Sequence, residues 1–111
     1  MSHKLVVVTA RTDLTERIVD AAKAVGARGA TIIPGRGTGV TEAKTFFGLT
    51  LELQRDVLLF LVKEEIARQV MQAARITGEF HKPGTGIAFL LDVDEVAGLE
   101  SQNTPEKDKK K

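Results

Sequence analysis

The sequence predicts an α+β domain of the ferredoxin-like βαββαβ plan, a four-stranded antiparallel sheet with two helices on one face. Three observations predict it. Residues 5–8 and 57–62 are apolar on both faces, as central strands are. Each is followed by a segment with helical apolar spacing and then by a further strand, so strand, helix, strand occurs twice, over 5–33 and 57–91. Two such units fill almost all of the 111 residues, which leaves room for one modest core and no second domain.

In chain order, Leu5-Val6-Val7-Val8, with Thr9 and Ala10 behind it, is a β-branched run and reads as a buried strand. Arg11 and Thr12 end it. Asp13-Leu14-Thr15-Glu16 has the acid-x-x-Glu form of a capped helix start. Leu14, Ile18, Ala21, Ala22 and Val25 then share one helical face, with Arg17, Asp20 and Lys23 elsewhere on the wheel. Gly26 is the expected C-cap. Ala27-Arg28-Gly29 turns the chain into a second strand over 30–33, and Gly35-Arg36-Gly37-Thr38-Gly39 follows as a loop.

Residues 40–48 are polar first and then carry Phe46 and Phe47, which read as core or interface packing. Leu49-Thr50-Leu51-Glu52-Leu53 alternates as a half-buried strand does, and Gln54-Arg55-Asp56 interrupts before the central strand 57–62. Lys63 and Glu64 open a second helix that turns Ile66, Val70, Ala73 and Ala74 inward and ends near Thr77-Gly78. Residues 79–86 form a second Gly/Pro loop, and 87–91 the last strand. Residues 92–99 are a short ending. The domain therefore spans 1–100, and 101–111 reads as a disordered polar and basic tail closing in Lys-Asp-Lys-Lys-Lys. Two helices cover only one sheet face, so the apolar second face predicts a partner, most simply further copies of the chain.

Composition narrows the functional classes. A formal net charge of +1 gives no global electrostatic case for nucleic acid. Recognition of RNA by this fold uses aromatics on the central strands, and Phe60 is the only one there. The absence of cysteine removes disulfides, thiol catalysis and most zinc sites, and it fits a cytoplasmic protein. No signal peptide or membrane span is visible.

The chemistry-bearing stretch is Gly35-Arg36-Gly37-Thr38-Gly39. Alternating glycines at a strand end expose backbone N–H groups and let a ligand approach the main chain, and Arg36 adds a fixed positive charge. An anion such as phosphate suits it; a hairpin tip with one solvated arginine fits equally well. It is not a Rossmann fingerprint, because Val40 stands where the third glycine belongs. Nor is it a Walker loop, because Lys44-Thr45 follows Ala43 rather than glycine. His3 and His81 are isolated, and Asp92, Asp94 and Glu95 read as the solvated end of a strand. No catalytic set is expected, and no cofactor or metal site.

The order of parts resembles the PII signalling family, small trimeric regulators that bind adenine nucleotides between subunits. Residues 25–31 (Val-Gly-Ala-Arg-Gly-Ala-Thr) resemble that family's end of the first helix and start of the second strand. Thr31, Gly37 and Gly39 fall on its strand threonine and two loop glycines. Gly84-Thr85-Gly86 before Ile87-Ala88-Phe89 resembles its second nucleotide loop. The chain also departs from the family pattern. Ile87 stands at the phosphate-binding lysine, Gly98 and Glu100 at two arginines, and Thr41 at a loop glutamine. The effector loop is shortened and holds no tyrosine, which excludes tyrosine uridylylation.

The resemblance implies a divergent PII-like homotrimer, a regulator and not an enzyme. It implies a ligand among ADP, AMP and ATP, or another small anion. The nucleotide-binding residues it implies are Thr31, Gly35, Arg36, Gly37, Thr38, Gly39, Lys82, Gly84, Thr85 and Gly86, with Arg36, Lys82 and Arg11 as replacement positive charge. A target protein, such as a membrane transporter, would read segment 36–50. The competing readings are a ligand-free interaction module of the same fold and, last, a weak nucleotide hydrolase.

Overall fold

The computed structural model describes residues 2–37, 45–46, 49–50 and 53–99. Strand β1 (His3–Arg11) leads through a single 3-10 turn (Thr12–Leu14) into helix α1 (Thr15–Ala24). Strand β2 (Thr31–Gly37) follows, then the two-residue strands β3 (Thr45–Phe46) and β4 (Leu49–Thr50), which pair with each other. Strand β5 (Leu53–Lys63), helix α2 (Glu64–Thr77) and strand β6 (Gly86–Val93) complete the fold. The main sheet has the order β2-β5-β1-β6, antiparallel throughout, with the two apolar runs at its centre. This is the ferredoxin-like α+β architecture that the two strand–helix–strand units require.

Alternation on the central strands sorts their side chains. Val6, Val8 and Ala10 of β1 and Leu58, Phe60 and Val62 of β5 are buried beneath the helices. Leu14, Ile18 and Ala22 of the first helical segment, and Ala67, Val70 and Ala74 of α2, close over them. Among the described residues the opposite face carries no helix. On it the registers align Leu61, Leu5 and Leu91; then Thr31, Leu59, Val7 and Phe89; then Ile33, Val57, Thr9 and Ile87. Within one subunit Ile33, Ile87, Phe89 and Leu91 are all more than two-fifths exposed. The predicted bare apolar face is therefore present.

Several boundaries differ from the sequence expectation. Helix α1 begins at Thr15 and not at Asp13, because Asp13 lies inside the 3-10 turn, where its carboxylate pairs with Arg11 at 2.6 and 3.0 Å and no side chain caps the helix. The C-terminal end agrees, with Gly26 at φ +122 closing the helix. Strand β2 does not stop at Ile33. It runs on through Gly37, opposite Leu53 of β5, so Gly35-Arg36-Gly37 is an edge strand and not a loop tip. Gln54-Arg55-Asp56 does not interrupt, because β5 is continuous through it and Arg55 and Asp56 each find a partner. Thr38, Gly39, Phe47 and the 101–111 tail lie outside the described residues.

Candidate functional site

Both glycine elements come to the same end of the sheet. Gly35 lies opposite Arg55, and Arg55 lies opposite Arg11 on β1. Gly86 opens β6 opposite Ala10, one residue further in. The end of the sheet thus carries, from edge to edge, the backbone of Gly35 to Gly37, the β5 and β1 arginines, and the turn ending in Gly84-Thr85-Gly86.

The second turn is built from its own residues. Thr85 is buried, and its hydroxyl lies 2.8 Å from the Glu79 carbonyl and 2.9 Å from the Lys82 carbonyl, sharing one proton between them. Gly84 adopts φ +77, a left-handed backbone that favours glycine. Gly86 is fixed by close approach. A Cβ there would stand 2.2 Å from the Thr9 carbonyl oxygen and 2.7 Å from the Phe80 ring, so only glycine lets β6 close on β1 beneath Phe80.

The charged groups are less free than the sequence suggested. Lys82, in this turn, donates to Glu79 at 3.1 Å, and that hydrogen bond together with the lysine's charge holds the Glu79 carboxyl below its ordinary pKa. Arg11 holds Asp13 low in the same way, while its own pKa is raised. Arg36 is exposed on the edge strand β2. His81 is exposed in the turn. Thr31 belongs to β2 but sits four positions from Gly35, roughly 13 Å along the strand. The structure therefore gathers Gly35, Gly37, Gly84, Thr85 and Gly86 at one end and leaves Thr31 further up the edge.

Sequence reasoning missed Arg55. Its guanidinium reaches past β1 and donates to the carbonyl oxygens of Thr85, at 2.8 Å, and of Gly84. On the other side its stem lies against Gly37, where a Cβ would stand 3.3 Å from Arg55 Cγ. The signal was available, since a charged residue in phase with the apolar open-face positions 57, 59 and 61 needs a partner at the strand end.

An antiparallel sheet of order β2-β5-β1-β6 with both helices on one face defines a ferredoxin-like α+β domain. Residues 3–103 match the family of Nitrogen regulatory protein P-II, and the chain belongs to that family. It is similar to a crystal structure from Thermus thermophilus described as a putative PII-like signaling protein. The two share 30% identity over 90% of this chain and 95% of that one, with a TM-score of 0.65. No curated protein sequence matches the chain. No helix among the described residues is long and apolar enough to cross a membrane.

Proposed function

We propose that this PII-like protein is a non-enzymatic regulator that binds an adenine nucleotide (ADP, AMP or ATP) or a related anionic metabolite, and so controls a target protein through segment 36–50. The observation that carries the reading is the convergence of the two glycine elements at one end of a sheet whose open face is apolar. Gly35 and Gly37, on either side of exposed Arg36, carry no side chain on the edge strand β2, so a ligand can come close to the backbone there. The open face supports assembly, most simply as a homotrimer, in which the 35–39 element of one subunit meets the 84–86 turn of another. Thr31, Arg36, Thr38, Gly39 and Lys82 complete the proposed contact set. A ligand in such a cleft would act on segment 36–50 directly, because that segment continues from the strand that anchors it. The target is a cytoplasm-facing protein such as a membrane transporter.

Calorimetric titration with ATP, ADP, AMP and cyclic AMP, run beside light scattering for mass, tests this. Saturable binding to a trimer, lost in Gly37→Val at unchanged mass, is the expected result. One observation favours a second reading. The Thr85 hydroxyl and the Arg55 guanidinium are both occupied by backbone carbonyls, which is how a purely structural turn is built. A trimer that binds none of the four nucleotides would support that ligand-free interaction module.

A further inference from the structure

Arg55 touches both glycine elements of one subunit, on opposite sides. Its aliphatic stem lies over Gly37 on β2 with no slack, since a Cβ at position 37 would come within 3.3 Å of Cγ and 3.8 Å of Nε. Its guanidinium, beyond the intervening strand β1, donates to the consecutive carbonyls of Gly84 and Thr85. A planar fork with fixed donor directions orients both peptide planes at once, which a single-point donor does not. The chain of contacts continues, because the Thr85 hydroxyl binds the Glu79 and Lys82 carbonyls. Moving Thr85 therefore moves the whole 79–85 turn.

We propose that Arg55 is a positioning residue that couples the Gly35–Gly37 end of β2 to the Gly84–Thr85 turn within one subunit, so that displacement of either element is transmitted to the other through its side chain. The coupling needs no ligand. Its use in signalling rests on the proposed function, in which the two elements of one subunit line neighbouring ligand clefts.

The test is amide hydrogen exchange on the ligand-free protein, read at Lys82 and Thr85, with Val7 and Phe60 in the central strands as controls. Arg55→Met keeps the stem and removes the fork. Loss of hydrogen bonds from a charged donor is expected to speed exchange at Lys82 and Thr85 by about ten-fold or more, with the central strands unchanged. Gly37→Ala pushes on the stem from another strand. It is expected to speed exchange at the same two amides, and to add nothing when Arg55 is already methionine. That non-additivity separates transmission through Arg55 from ordinary loss of packing. Unchanged protection in Arg55→Met, or the same Gly37→Ala effect in both backgrounds, would overturn the proposal. Should Arg55→Met fail to fold, Arg55→Lys, which keeps stem and charge but not the fork, takes its place in the same cycle. Because no nucleotide enters the experiment, a failure of the nucleotide reading leaves its result intact.

Discussion

Thr15 donates its hydroxyl proton to Asp56 Oδ2 across 2.6 Å, with both residues more than nine-tenths buried. The first residue of α1 is thereby fastened to β5, beside the row of Arg11, Arg55 and Gly35. A hydroxyl removed from a buried carboxylate leaves an unpaired acceptor whose desolvation is no longer offset. Thr15→Val is expected to destabilise the fold by about 1–3 kcal/mol, and Thr15→Ser by much less. Urea denaturation read by circular dichroism measures both. Equal stability of valine and wild type would show that the contact contributes nothing.

Gly86 and Gly29 make a matched pair of probes. A Cβ at Gly86 meets the Thr9 carbonyl at 2.2 Å, whereas a Cβ at Gly29 meets nothing within 4 Å. The obstacle at Gly86 is backbone, which cannot rotate away, so Gly86→Ala must part β6 from β1. Its expected cost is roughly 2–4 kcal/mol, at the severe end for a point substitution, while Gly29→Ala stays within about 0.5 kcal/mol. Thermal unfolding of the two variants beside wild type decides it, and a Gly86→Ala protein as stable as Gly29→Ala would refute the close approach.

What was legible in the sequence follows the range of each signal. Residues 57–62 could be placed at the sheet centre because an uninterrupted apolar run has no solvent side to satisfy. Ile18, Ala22, Val70 and Ala74 fell on the correct helix faces because that spacing is local. Ala67 was missed and Ala73 given too much weight, because neighbouring alanines on a wheel differ only by which strand lies beneath them. The length of β2 was misjudged because glycine weakens strand propensity, while its pairing with residues 53–55 comes from a segment far along the chain. The partners of Arg55 were out of reach for the same reason, being backbone carbonyls about thirty residues away. The sequence linked the Gly35–Gly37 and Gly84–Gly86 elements only through the family resemblance; their shared end of the sheet follows from the strand order, because β2 ends and β6 begins where β1 ends.

Asp13 and Glu79 give a pH dependence with a definite sign. The hydrogen bond from Arg11 lowers the Asp13 pKa, and that from Lys82 lowers the Glu79 pKa. A carboxyl with a depressed folded-state pKa contributes stability that is present above its unfolded value and is lost as pH falls through the folded value. Both groups are exposed, so the contribution is small and screened by salt. Carboxyl titration by NMR is expected to find Asp13 low in wild type and moved up toward its ordinary value in Arg11→Gln. Lys4, raised by its hydrogen bond to Asp92, works in the opposite direction, contributing below its unfolded pKa and losing the contribution as pH rises through the folded one. An Asp13 midpoint unmoved in Arg11→Gln would remove the pair from the solution structure.

The open sheet face supplies the sharpest prediction about assembly. Phe89 and Leu59 share one row across it with Val7 and Thr31, but they stand differently in a lone subunit. Phe89 is 41% exposed on the edge strand, so a charge there is tolerated by a monomer and not by a covered face. Leu59 lies half-buried on the central strand β5, where a charge also disturbs its neighbours. Phe89→Glu is therefore expected to give a folded protein of lower mass by light scattering, with its far-ultraviolet dichroism retained. Leu59→Glu should lose assembly and part of the fold together. Covering the exposed part of Phe89 is worth about 1 kcal/mol per subunit, and an unpaired charge in its place adds a desolvation cost, together enough to shift association by about an order of magnitude or more. Persistence of the wild-type mass in Phe89→Glu and in Leu59→Glu would mean that another surface joins the subunits. The apolar rows would then need a partner of different chemistry, and the cleft proposed between the 35–39 and 84–86 elements would have to form within a single subunit, on either side of Arg55.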